Sequence, residues 1–146
     1  MSGFPVKVLE KGAVYLNRSR NRWRIEQPQD VAKAFREAIG KESREVFIVF
    51  LLSARHTVRY VYVVSIGTLD SSLVHPREVF AEAVKRRAAA FIVAHNHPSG
   101  DPSPSPDDVR TTERLKRAGE LLGIQLLDHV ILGDADFVSM KEQGVL

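Results

Sequence analysis

The sequence has no cysteine. Disulfide bonds and thiolate zinc fingers are thereby excluded, so any transition metal must be held by histidine and carboxylate groups. The same absence accords with a reducing compartment, and a cytoplasmic location is expected. Long apolar runs are missing too. The strongest, residues 46–52, falls far short of the roughly 20 residues that a bilayer-spanning helix requires. The first seven residues, Met-Ser-Gly-Phe-Pro-Val-Lys, lack the apolar stretch of a secretory signal, so no export and no membrane association are expected.

What remains has the balance of a soluble globular domain: 44% hydrophobic and 27% charged residues in a chain of 146, enough for one core and too few for two. The net charge of +3 is unevenly distributed. Lys7, Lys11, Arg18, Arg20, Arg22 and Arg24 face Glu10 alone within residues 1–24, and the rest of the chain is net acidic. Such an arm suits weak phosphate contacts with nucleic acid or with an acidic surface. It equally suits a solvated extension, because only Trp23 offers a surface for base stacking. The expected division is a basic extension over residues 1–27 and a single domain over 28–146.

Patterning predicts the elements of that domain. A short strand is expected over residues 13–16. Pro28-Gln29-Asp30 reads as a helix start with Asp30 as N-cap, and Val31, Ala34, Phe35 and Ala38 follow at helical spacing before Gly40. Residues 45–52 form a continuous β-prone apolar run of the kind buried on both faces of a sheet. A turn over residues 53–56 and a Val/Tyr-rich strand over 58–65 complete a hairpin that Gly67 ends, with a further extended piece expected over 69–74. His75-Pro76 opens a second helix, residues 89–94 a short buried strand, and Ser105-Pro106 a third helix. The third helix runs through Val109, Leu115, Ala118 and Leu122 and stops at Gly123. Strands over 125–132 and 137–140 close the order. The fold class that results is α/β, a mixed β-sheet with flanking helices in an α-β-α sandwich.

Chemistry concentrates after the fourth of these strands. His95 and His97 are two residues apart at a strand end, where extended backbone points both imidazoles to one side. Pro98 and Gly100 turn the chain, and Asp108 enters from the first turn of the third helix. Two nitrogens and one oxygen suit a single zinc ion with an open fourth position, which generates hydroxide near neutral pH. Such a site needs a general base and a donor for the developing oxyanion. Each residue has a plainer reading as well: two hydrogen-bonded histidines, an acid favoured by the helix dipole, and Ser105 as an N-cap.

The run His95-x-His97-x7-Ser105-x2-Asp108 resembles the JAMM motif of the JAB/MPN+ metallopeptidases in every position and spacing. Residues 95–105, His-Asn-His-Pro-Ser-Gly-Asp-Pro-Ser-Pro-Ser, are similar to the RadC-like branch of that family, as are residues 75–80 and Asp128-His129 with the apolar run after them. The resemblance covers roughly residues 28–146 and implies a fold of the JAB/MPN, cytidine-deaminase-like type. It implies a zinc-dependent peptidase or isopeptidase acting on a peptide or protein. His95, His97 and Asp108 would be its ligands, Ser105 its oxyanion donor and Glu45 its general base, with Glu42 the nearest rival to Glu45. Asp101 stands where many eukaryotic JAMM enzymes have glycine, in keeping with the RadC-like branch. That branch usually carries an N-terminal helix-hairpin-helix region, which residues 1–27 do not resemble, so the catalytic-type domain alone is expected. Two further classes stay open: a DNA-associated protein with little peptidase activity, and a non-catalytic zinc scaffold. His75 is expected to serve helix entry, His129 to pair with Asp128 or a backbone carbonyl, His56 to lie in a turn, and Asn96 to orient its loop.

Overall fold

The computed structural model describes residues 14–16, 24–40, 42–67 and 74–146, the first three by their backbone. Its elements run β1 (Val14–Leu16), α1 (Pro28–Ile39), β2 (Val46–Leu52), β3 (Val58–Ile66), α2 (Pro76–Lys85), β4 (Ala90–Asn96), α3 (Pro106–Leu122), β5 (Gln125–Leu132) and β6 (Phe137–Ser139). The strands form one six-stranded sheet in the order β1-β3-β2-β4-β5-β6. Every pairing is antiparallel except β4 with β5, which α3 connects as a crossover.

The sheet is a middle layer. All seven residues of β2 are buried, and their alternation divides the core in two. Val46, Ile48, Phe50 and Leu52 pack with Ile92, Val130 and the inward face of α1, namely Val31, Ala34, Phe35 and Ala38. Phe47, Val49 and Leu51 pack on the other side with Phe91 and Val93, with Val79, Phe80 and Ala83 of α2, and with Leu115 of α3. This is the expected α/β/α sandwich, and neither helix layer is needed to build the other's core.

Several boundaries differ from the expectations. The N-cap of α1 is Gln27, and Asp30 sits three residues in, its Oδ2 accepting from the N–H groups of Glu26 (2.9 Å) and Gln27 (3.1 Å). Pro28 is the cause: with its fixed φ and no N–H it takes the first helical position, so the helix begins earlier. Strand β4 runs two residues beyond Ala94 to include His95 and Asn96. Leu122 ends α3 as expected and is 51% exposed, with the αL turn at Gly123 just past it. The buried face of α3 carries Asp108, Thr111 and Thr112 as well as Leu115 and Gly119. Gly119 is obligatory for close packing, since a Cβ there would run into the Ile124 carbonyl and the Phe91 ring. The turn over residues 53–56 is found, with the Ser53 Oγ accepting from the Thr57 N–H at 3.2 Å, and His56 lies in it at φ 61°. Most of the extended piece expected at 69–74 lies outside the described residues.

Candidate metal centre

Strand β4 carries the first histidine into the sandwich. His95 follows Phe91 and Val93 on the α2/α3 face, is 2% exposed, and stacks on Phe47 of β2 with ring centroids 5.7 Å apart. The chain then leaves β4 but keeps to its neighbour, the His97 N–H donating to the Leu132 carbonyl at 2.8 Å. His97 Nδ1 lies 2.8 Å from the Asp101 carbonyl oxygen. A carbonyl can only accept, so Nδ1 carries a hydrogen and Nε2 is the atom turned to His95 and Asp108. The turn before β6 braces this loop: the Asp134 N–H donates to the Gly100 carbonyl at 3.0 Å, an approach that any Cβ at Gly133 would block.

The carboxylate comes from α3. Asp108 and Ser105 form a reciprocal capping box: the Asp108 N–H donates to Ser105 Oγ at 3.1 Å, and the Ser105 N–H donates to Asp108 Oδ2 at 2.9 Å. The bonds that start the helix therefore also aim the carboxylate inward. Nε2 of His95 and Nε2 of His97 are 3.2 Å apart, and Asp108 Oδ1 and Oδ2 lie 3.2 and 3.1 Å from them respectively. Zinc bonds of about 2.0–2.1 Å in a tetrahedron imply donor separations of about 3.3–3.4 Å. The triangle is close to that edge length, and its two imidazoles and one carboxylate are donors that zinc favours. The residues fit the ion.

A second carboxylate faces the same rings from further out. Glu45, immediately before β2, places Oε1 3.9 Å from His95 Nε2. Ligand atoms of Glu45, His95 and His97 all lie within 4.8 Å of one another. One side chain fixes this glutamate from both sides. Asn96 Oδ1 accepts from the Val46 N–H at 2.7 Å, and Asn96 Nδ2 donates to the Arg44 carbonyl at 3.0 Å, so the amide spans the peptide groups flanking Glu45.

Charge and burial act unequally here. Burial pushes the Glu45 carboxyl up, against the pull of His95 and His97. For Asp108 burial is again the largest single influence and acts upward, but hydrogen bonds from His95, His97 and the Ser105 N–H together hold the group far below the usual carboxylate range. The bond to Asp108 holds His97 above its ordinary value. Glu42 behaves differently. Its oxygens take up the Arg44 side chain at 2.6 and 3.0 Å and the Arg44 N–H at 3.0 Å, which lowers its pKa to about 2. Of the two glutamates weighed from the sequence, Glu45 is the one in contact with a histidine.

His129 departs from expectation. Its imidazole pairs with neither Asp128 nor a carbonyl; Nε2 lies 2.8 Å from His95 Nδ1, and Nδ1 lies 2.6 Å from Thr112 Oγ1. Only its backbone N–H reaches the Asp128 carboxylate, at 2.7 Å. A register shift in the β4–β5 pairing is responsible: Phe91 faces Leu126, but Ile92 faces Asp128, and the extra residue reverses which side of the sheet the following side chains take. Asp128, sent to the other face, accepts from Ser139 Oγ and the Lys141 N–H, and burial raises its pKa.

His75 is the N-cap of α2, its Nδ1 accepting from the Arg77 N–H at 3.2 Å. Arg24 is exposed, donating to the Arg55 carbonyl at 3.2 Å, whereas Lys7, Lys11, Arg18, Arg20 and Arg22 lie outside the described residues. Among the described residues no helix is long and apolar enough to cross a membrane. Thr112 had no role from the sequence; its signal was the spacing of four from Asp108, which puts both on one helix face.

Known proteins resemble this chain over most of its length. Residues 25–145 match the RadC-like JAB domain. A UPF0758 protein of Bacillus pumilus is 50% identical over 126 residues, 86% of this chain and 56% of its own length. One from Alkaliphilus metalliredigens is 48% identical over 126 residues, covering 86% and 54%, and one from Clostridium botulinum is 46% identical over 129 residues, covering 88% and 57%. The chain thus spans little more than half the length of these relatives. With the JAB match running from Ile25, through β2, the histidine loop and α3, to the end of β6 and beyond, this chain belongs to the RadC-like JAB domain family.

Proposed function

We propose that this chain is a zinc-dependent hydrolase of the JAMM type that cleaves a peptide or isopeptide bond by adding water. The observation that supports it best is the second carboxylate, Glu45, held 3.9 Å from His95 Nε2 beside a complete ligand triangle. His95, His97 and Asp108 would hold one zinc ion. When bound, zinc supplies Lewis acidity, lowering the pKa of water towards about 7 and polarising a carbonyl. Glu45 takes a proton from the attacking water at its carboxylate and delivers it to the departing amine. Burial helps, since a carboxylate deprived of solvent is the stronger base. Ser105 Oγ accepts from the Asp108 N–H and keeps its own hydrogen to donate to the developing oxyanion. In balance, a C–N bond breaks, a C–O bond forms and one water is consumed.

The test is Glu45→Gln. Zinc content stays at the wild-type level, hydrolysis of a peptide and isopeptide library falls by roughly 10²–10⁴-fold, and the melting temperature does not drop, because a half-buried charge has been removed. Undiminished turnover in this variant removes Glu45 from the mechanism. A wild-type protein that binds zinc and cleaves nothing in the library favours a scaffold. A salt-sensitive mobility shift of DNA that persists without zinc favours the DNA-associated role that the basic residues before Ile25 suit.

A further inference from the structure

Two fully buried polar side chains, His129 and Thr112, lie behind the ligand triangle and meet its His95, itself only 2% exposed. They form a continuous chain. His95 Nδ1 is 2.8 Å from His129 Nε2, His129 Nδ1 is 2.6 Å from Thr112 Oγ1, and Thr112 Oγ1 is 2.8 Å from the Asp108 backbone carbonyl. Each contact needs one hydrogen, and the directions are mutually dependent.

The end of the chain decides them. Between Thr112 Oγ1 and the Asp108 carbonyl only the threonine hydroxyl can donate, and without its hydrogen two acceptor oxygens would be pressed together at 2.8 Å. With that hydrogen spent, Thr112 Oγ1 can only accept from His129, so His129 carries its hydrogen on Nδ1. An imidazolium with no carboxylate in contact is costly in a fully buried position, so His129 is neutral and its Nε2 is a bare acceptor. His95 must then donate from Nδ1, so its neutral imidazole, the form that ligates a metal, has a bare Nε2, and Nε2 is the atom turned to His97 and Asp108.

We infer that Thr112 and His129 are positioning residues that lock His95 in the tautomer a metal ligand needs, through a relay that begins at one ligand side chain and ends on the backbone of another. Phe47 packs against both rings, stacked on His95 and edge-on to His129. The relay ties β4, β5 and α3 together behind the triangle. Its use for metal binding rests on the zinc reading above; its hydrogen-bond directions do not.

The experiment has two arms. Long-range ¹H–¹⁵N spectra of the metal-free wild-type chain report which nitrogen of each imidazole is protonated. Nδ1–H on both His95 and His129 is expected, and a bare Nδ1 on either overturns the relay. Zinc affinity is then measured by chelator competition for Thr112→Val, which keeps the shape and loses the hydroxyl, and for Thr112→Ser, which restores it. Outer-shell losses of this kind weaken metal binding by about 10–100-fold, expected for valine, while serine stays within about threefold of wild type. A Thr112→Val protein that is folded, keeps wild-type tautomers and binds zinc as well as wild type also overturns the inference. Tautomers as assigned in a wild-type chain that takes up no zinc support the relay and overturn the proposed function instead.

Discussion

Asn96 shows how much one amide can settle. The carboxylate of Glu45 has no hydrogen-bond tether to the histidines, and its nearest approach to them is 3.9 Å. Its place is set by its own backbone, and Asn96 grips that backbone on both sides, at the Val46 N–H and the Arg44 carbonyl. Val46 is fully buried, so losing its partner leaves a donor with nowhere to turn. Asn96→Ala is expected to cost about 1–3 kcal/mol in stability and to lower kcat about tenfold, part of what a general base supplies, with zinc affinity unchanged. Asn96→Asp keeps the acceptor but sets an oxygen against the Arg44 carbonyl, and should fall between alanine and wild type. Denaturant titration, turnover and zinc competition on the two variants separate these effects. Equal loss of zinc binding would show that Asn96 holds the histidine loop rather than Glu45.

At the scale of the element, the first turn of α3 serves folding and chemistry with the same atoms. Ser105 caps the helix and is the proposed oxyanion donor, and glycine and alanine separate the two roles. An N-cap serine replaced by alanine costs about 1 kcal/mol, but by glycine only a few tenths, whereas both remove the hydroxyl. Ser105→Ala should therefore lose stability and rate, and Ser105→Gly mainly rate, each by roughly 10²–10³-fold if the hydroxyl meets the oxyanion. Wild-type turnover in a stable Ser105→Gly chain would leave Ser105 as a cap alone. Elements of this kind were legible in the sequence where one local rule operates: the apolar spacing of Val31, Ala34, Phe35 and Ala38, the unbroken run of β2, and the His-x-His step at a strand end. They were not legible where a pairing decides. Nothing in the residues of β5 announces the register shift that turns His129 towards His95, because a bulge is a property of two strands. The cap of α1 was misplaced for a related reason: Asp30 is a good cap residue, and only the helix start at Pro28 makes it the third residue instead.

For the whole molecule, the issue is whether the metal would hold the fold together or be carried by a fold already complete. The triangle joins β4 to α3 at one edge of the α2/α3-side core, while the core under α1 contains none of its residues. In the other core Phe47 stacks on His95, but Val49, Leu51, Phe91 and Val93 of the sheet pack with Val79, Phe80, Ala83 and Leu115 of the helices as one apolar cluster. Unlike a zinc finger, which has almost no core, this sandwich should stay folded when zinc is stripped, with its far-ultraviolet spectrum unchanged. Zinc should nevertheless stabilise it by mass action, by about 2.7 kcal/mol at a free concentration a hundredfold above Kd, which for a chain of this size raises Tm by roughly 10 °C. The increase should grow with the logarithm of free zinc and disappear in His97→Ala. Unfolding at 25 °C on chelation would make the ion a structural one, and a Tm indifferent to zinc would mean that the triangle does not hold it. Between those limits lies a preformed site on a stable frame, the arrangement in which a bound metal is free to serve chemistry because the fold does not depend on it.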